Sequence, residues 1–222
     1  MPRLLLVLGL ALSAEFLLLA WRPVSRADWL LENLLAVLLV GLLVLTYRRF
    51  RLSRASYVLL FCFLVLHEIG AHYTYAEVPY DAWCRRLLGW SPDEAFGFER
   101  NHFDRLVHFA YGLTFALPIR EVFLRIADAK GIWGYVLPLD VAVSTSALYE
   151  LVEWQAAQVF GGDLGAEYLG LQGDVWDAQR DMSLAALGAL LAMGATFVVN
   201  RAVRRDFARE LAESLRVKQP EP

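Results

Sequence analysis

Of 222 residues, 58% are hydrophobic and only 20% charged, and the mean hydropathy is +0.42. That is more apolar surface than one soluble core needs, so an all-α bundle of membrane-spanning helices is expected in its place. A net charge of −3 says little, because orientation in a membrane follows the placement of Lys and Arg, and no nucleic-acid partner is expected; two cysteines, Cys62 and Cys84, make neither a disulfide framework nor a zinc knuckle.

Apolar runs of the roughly 20 residues needed to cross about 30 Å of hydrocarbon recur at 4–21, 29–45, 57–73, 106–124, 132–160 and 182–199. They predict six spans in one domain, 1–222, with 201–222 as a charged cytoplasmic tail. Orientation follows Lys and Arg in the short loops. Arg48, Arg49, Arg51 and Arg54 follow span two, Arg120, Arg125 and Lys130 follow span four, and Arg201, Arg204, Arg205 and Arg209 follow span six. Those segments are expected inside, with both termini. The loops at 22–27, 75–103 and 161–177 are then expected outside.

Span one has the look of a signal peptide up to Ala14, but its apolar run resumes at Phe16, which predicts an uncleaved span holding one acid, Glu15. Span two opens with Asp28, Glu32 and Asn33 at the boundary and continues as lipid-facing packing material. Span three ends in His67, Glu68 and His72; Glu68 and His72 share a face, and His67 points about 140° away from His72. In the loop that follows, Tyr80, Trp83, Leu87, Leu88 and Trp90 predict one side of a short interfacial helix.

Span four opens with Asn101, Asp104 and His108 at i, i+3 and i+7, one helical stripe, with His102 off it as a solvated boundary residue. Pro118 should bend this span. Span five holds Asp140 in its inner half and Glu150, Glu153 and Trp154 near its outer end. After the GGDLG turn, Asp174, Asp177 and Asp181 repeat the i, i+3, i+7 spacing, with Trp176 and Arg180 beside them. Small residues such as Ala185, Gly188 and Ala189 then suit span six to close packing in lipid.

Because successive spans alternate in direction, the polar ends of spans three to six fall in one layer, expected to face the periplasm or exterior. So many acids cannot all stay charged and unpaired beside hydrocarbon. A divalent cation, zinc, manganese or magnesium, would relieve the conflict. The expected ligands are His72, His108, Asp104 and Asp177, with His67, Asp174 and Asp181 in reserve. Glu68, Glu153 or Glu150 would move protons. Arg100, Asn101, Arg105, Arg180, Trp154 and Trp176 would hold the substrate, the arginines gripping phosphate. A salt-bridge network built on Arg105 and Arg180 would gather the same groups without a metal.

At RNHFDRLVHFAYG, YELVEW and QGDVWDAQRDM the chain resembles the bacterial inner-membrane proteins of the YjdF type, a likeness that runs from span three to span six. More distantly, DRLVHF followed by an acidic helix resembles the VanZ-like envelope proteins. Both imply a cell-envelope setting and no particular chemistry. The expected function is a metal-dependent hydrolase or transferase acting on an envelope lipid or lipid-linked molecule. A small ion-coupled permease using Asp140, Pro118 and Pro138, or a non-catalytic membrane binding or assembly protein, are the alternatives.

Overall fold

The computed structural model describes residues 2–160 and 174–215. The GGDLG turn at 161–165 and the end of the charged tail, 216–222, lie outside them. All regular structure among the described residues is helical: α1 (Pro2–Leu19), α2 (Arg26–Thr46), α3 (Arg54–His72), α4 (Tyr80–Leu88), α5 (Pro92–Phe96), α6 (Phe103–Ile126), α7 (Trp133–Phe160), α8 (Asp177–Val203) and α9 (Phe207–Ser214).

Local chemistry sets several of the starts. Ser25 and Ser53 sit in extended backbone before α2 and α3 and accept from the N–H groups of Asp28 and Ser56, satisfying donors that a helix cannot pair by itself. Asn101 does the same before α6: its carbonyl accepts from Phe103 N–H at 2.9 Å, while its amide donates to the Val78 carbonyl at 2.9 Å.

Five helices, α1, α2, α3, α7 and α8, are long and apolar enough to cross a membrane. α6 has 24 residues, about 36 Å at the helical rise, but carries Asp104, Arg105, Arg120, Glu121 and Arg125. It packs against α3, α7 and α8, so these charges sit within the bundle and not along its lipid face. The tightest of these contacts is between α6 and α8. A Cβ on Gly112 would overlap the Ala185 carbonyl, and one on Gly188 would overlap the Phe109 carbonyl, so the two backbones touch where glycines face each other. Ala116, Ala189 and Met193 extend the seam, and Ala142 of α7 closes it. Small residues allow this approach in lipid, where dispersion rather than the hydrophobic effect holds helices together.

The end of the bundle away from α4 and α5 is tied by charge. Glu121 accepts from Ser53 N–H at 2.8 Å and Ser56 Oγ at 2.7 Å. Arg120, 1% exposed, makes a two-pronged pair with Asp206 at 2.9 and 2.5 Å. Arg125 donates to the Arg51 carbonyl and Arg209 to that of Ala129. The three basic segments therefore gather at one end, and α9 of the tail docks on α6 through Arg120 and the Leu124, Ala208, Ala212 contact.

α1 leans on α3 from the periphery along its length, from Leu5 and Leu8 near Tyr57 to Leu19 near His72, with no buried residue of its own. α4 and α5 lie across the bundle mouth, joined by Asp81, which accepts from Arg85 Nε, Ser91 Oγ and Asp93 N–H. α4 is the short amphipathic helix that the aromatic spacing predicts.

Candidate functional site

The close seam between α6 and α8 decides where the polar residues meet. Gly112 lies one turn beyond His108, and Asp181 lies one turn before Ala185, so backbone contact at the glycines brings the first turns of α6 and α8 side by side. Asp104, His108 and Asp181 each present a ligand atom there, all within 4.8 Å of one another. From α7, Glu150 Oε1 reaches to 3.4 Å from His108 Nε2, and Asp104 Oδ1 stands 3.6 Å from the same nitrogen.

Burial gives the cluster its chemical interest. His108 is 7% and Asp181 2% exposed, and Asp181 Oδ1 has no hydrogen-bond partner among the described residues. A buried carboxylate oxygen left without a donor is unfavourable by several kcal/mol unless something positive approaches it. One imidazole with two or three carboxylates is a donor set that fits zinc or manganese, and magnesium where the carboxylates dominate. Glu153, one turn along α7 from Glu150, is within electrostatic reach of Asp104 and Glu32.

Arginines stand beside this cluster. Arg100 pairs with Asp177 at 2.7 Å, Arg105 with Asp174 at 2.5 Å and Asp177 at 3.2 Å, and Arg180 with Asp174. Asp177 and Asp174 thus face guanidinium groups rather than the His108 cluster. Burial opposes charge on Asp174, but the Trp176 N–H, Arg180 and Arg105 outweigh it and hold the carboxyl below its usual range. His102, expected in water, is half-buried and stacked on Phe98 with ring centroids 3.9 Å apart. Burial, then the charges of Arg105 and Arg100, lower its pKa, and neutral Nδ1 accepts from Arg105 at 3.0 Å.

Other expected site residues go elsewhere. His67 Nε2 lies 3.2 Å from the Glu32 carbonyl, which can only accept, so Nε2 carries the proton and Nδ1 accepts from Tyr75 O–H at 2.6 Å. Both nitrogens are engaged, leaving none for an ion in this arrangement. His72 turns to α1, where Nδ1 meets the Leu19 carbonyl at 2.6 Å. Glu68, 3% exposed, shares that side and feels Glu15. The common face of Glu68 and His72 therefore meets α1, away from the cluster. Asn101 is used in the turn before α6. Trp154 and Trp176 are 50% and 61% exposed.

The role expected for the start of α2 needs correction. Asp28, Glu32 and Asn33 are buried, at 3%, 7% and 4% exposure, and Glu32 accepts from Tyr149 O–H at 2.8 Å. Glu32 is expected from the sequence only as a boundary residue, and Tyr75 and Tyr149 are not expected in the site at all. Their available signal was Asp28 and Glu32 at i and i+4 on an apolar helix, one face that must be buried or paired. Next to them is a cavity of about 270 Å³ bounded by α2, α3, α6 and α7, with Asp104 and His108 in its lining.

A helical bundle with five apolar spanning helices and ionisable residues held inside defines a multi-pass membrane protein. Residues 4–202 match the family described as "Predicted membrane protein (DUF2238)", and the chain belongs to that family. The inner membrane protein YjdF of Escherichia coli (strain K12) is 38% identical over 190 residues, covering 83% of this chain and 86% of that protein. This is accordingly an inner-membrane protein. No solved structure matches it. The fainter VanZ-like likeness rests on motifs alone.

Proposed function

We propose that Asp104, His108 and Asp181 hold a divalent cation, zinc, manganese or magnesium, and that the protein is a hydrolase or transferase for an envelope lipid or lipid-linked molecule. The observation that carries this reading is Asp181, whose buried Oδ1 has no partner among the described residues and whose carboxylate offers a ligand atom within 4.8 Å of those on Asp104 and His108. A bound cation would polarise a phosphoryl or acyl oxygen and make its water acidic. Glu150, against His108, would take the proton of a water whose oxygen attacks phosphorus or carbonyl carbon, and would then pass it to the departing oxygen.

Arg100 and Arg105 suit a phosphate, which would compete with Asp174 and Asp177 for their guanidinium groups. The basic segments gathered at the far end support an orientation with six spans, both termini in the cytoplasm and the cluster facing outward. A permease path through Asp140 has less support, since Asp140 is exposed on α7 and lines no part of the cavity.

The test uses purified protein in vesicles of inner-membrane lipid extract, with products followed by mass spectrometry. Cleavage or transfer that EDTA stops, Mn²⁺ or Zn²⁺ restores and Asp181→Asn abolishes is the expected result. Turnover unaffected by both EDTA and Asp181→Asn would contradict the proposal.

A further inference from the structure

The cavity beside the cluster differs from it in character. Its wall is mostly aliphatic and aromatic, from Leu35 and Leu39 of α2, Phe63 of α3, and Val107 and Phe115 of α6. Most hydroxyls on the wall are spoken for within the protein: Tyr111 with Thr145 at 2.5 Å, Tyr75 with His67, and Tyr149 with Glu32. What remains for an occupant is mostly hydrocarbon surface, with Asp104 and His108 of the cluster and the buried hydroxyl of Ser146, which has no partner among the described residues.

The cavity is also open sideways. Leu35 is 49% exposed and Thr145 is exposed, although both line it. α2 packs along α3, whereas α7 packs along α6 and α8, and α2 and α7 share no extensive contact. Near the cluster, the Tyr149–Glu32 hydrogen bond bridges them. Leu34, Leu38 and Leu42 of α2, all more than half exposed, set this opening at hydrocarbon depth.

We propose that this crevice takes one hydrocarbon chain of a membrane lipid, drawn in between α2 and α7, so that the lipid's polar head comes to rest against Asp104 and His108. The occupant is a lipid because the opening faces the bilayer and the wall is mostly apolar, with Asp104 and His108 of the cluster as its ionisable groups not already hydrogen-bonded across the wall. The proposal deepens the reading of the cluster as a lipid-handling site and rests on it for the head, but the chain site stands on its own geometry.

The experiment reconstitutes the full chain with phosphatidylglycerol carrying a diazirine at the end of one acyl chain, irradiates it, and maps the labelled residues by mass spectrometry. Labelling of Leu39, Phe63 or Phe115 is expected. Ala36, 7% exposed on the cavity wall, is the position to fill: Ala36→Trp, and the milder Ala36→Leu, should cut interior labelling several-fold and leave labelling of exposed Leu38 unchanged. Equal interior labelling in the wild type and in a folded Ala36 variant, or labelling confined to exposed residues, would overturn the proposal. Metal content measured on the same samples separates the two readings: His108→Ala should lose metal yet keep interior labelling, and a metal-free wild type with interior labelling would overturn only the cation site.

Discussion

Asp81 and Asp181 carry the same side chain into opposite surroundings. Asp81 accepts from Arg85, Ser91 and the Asp93 N–H, and the Arg85 hydrogen bond, followed by that of Ser91, brings its carboxyl down to about 2. A depressed pKa means that its stabilisation is full above the ordinary value of about 4 and is lost as pH falls through about 2. Asp81→Asn should therefore make the 80–98 segment more open to pepsin at pH 4, and the difference from wild type should vanish near pH 2. A variant cut no faster than wild type at pH 4 would count against this. Asp181, by contrast, has a buried oxygen with no donor among the described residues, and the proposed cation would be its partner. Residue spacing made Asp104, His108 and Asp181 legible, because the two i, i+3, i+7 stripes stand at equal depth at the starts of two helices that run in the same direction. It could not tell which neighbour the Glu68 and His72 face would meet, since periodicity fixes a direction around one helix axis and says nothing of the helix beyond. The pairing of Tyr149 with Glu32 was hidden for the same reason: only the contact between α2 and α7 makes them partners.

At the scale of elements, the α6–α8 seam is what delivers Asp181 to His108. Gly112→Val and Gly188→Val each put a branched side chain against a backbone carbonyl and should lower stability by about 1–3 kcal/mol or more, read as a fall in the thermal midpoint in detergent together with weaker metal retention. A midpoint unchanged in both variants would remove the seam from the account. The apolar runs marked the long helices to within a few residues, because about 20 apolar residues in a row have few other uses. α6 was legible as an element and less so as a span. Its charges at both ends are paired inside the bundle, Arg120 with Asp206 and Glu121 with Ser53 and Ser56, and those partners lie too far away in sequence for periodicity to reveal.

The whole molecule has a polar chamber near α4 and α5 and a basic belt at the other end. Its proposed orientation is tested with single cysteines in a background where Cys62 and Cys84 are alanine. Glu99→Cys, beside the chamber, should react with an impermeant maleimide added from the periplasmic side, and Lys130→Cys, in the belt, should react only after the inner membrane is opened. The reverse pattern would turn the site to the cytoplasm. Most of the functional account depends on a cation between α6 and α8. Elemental analysis of detergent-purified protein beside folded His108→Ala and Asp181→Asn variants tests it most directly. Near-stoichiometric zinc or manganese in the wild type and its loss from both variants is the predicted result, and equal metal content in all three, or none in the wild type after incubation with either ion, would contradict it.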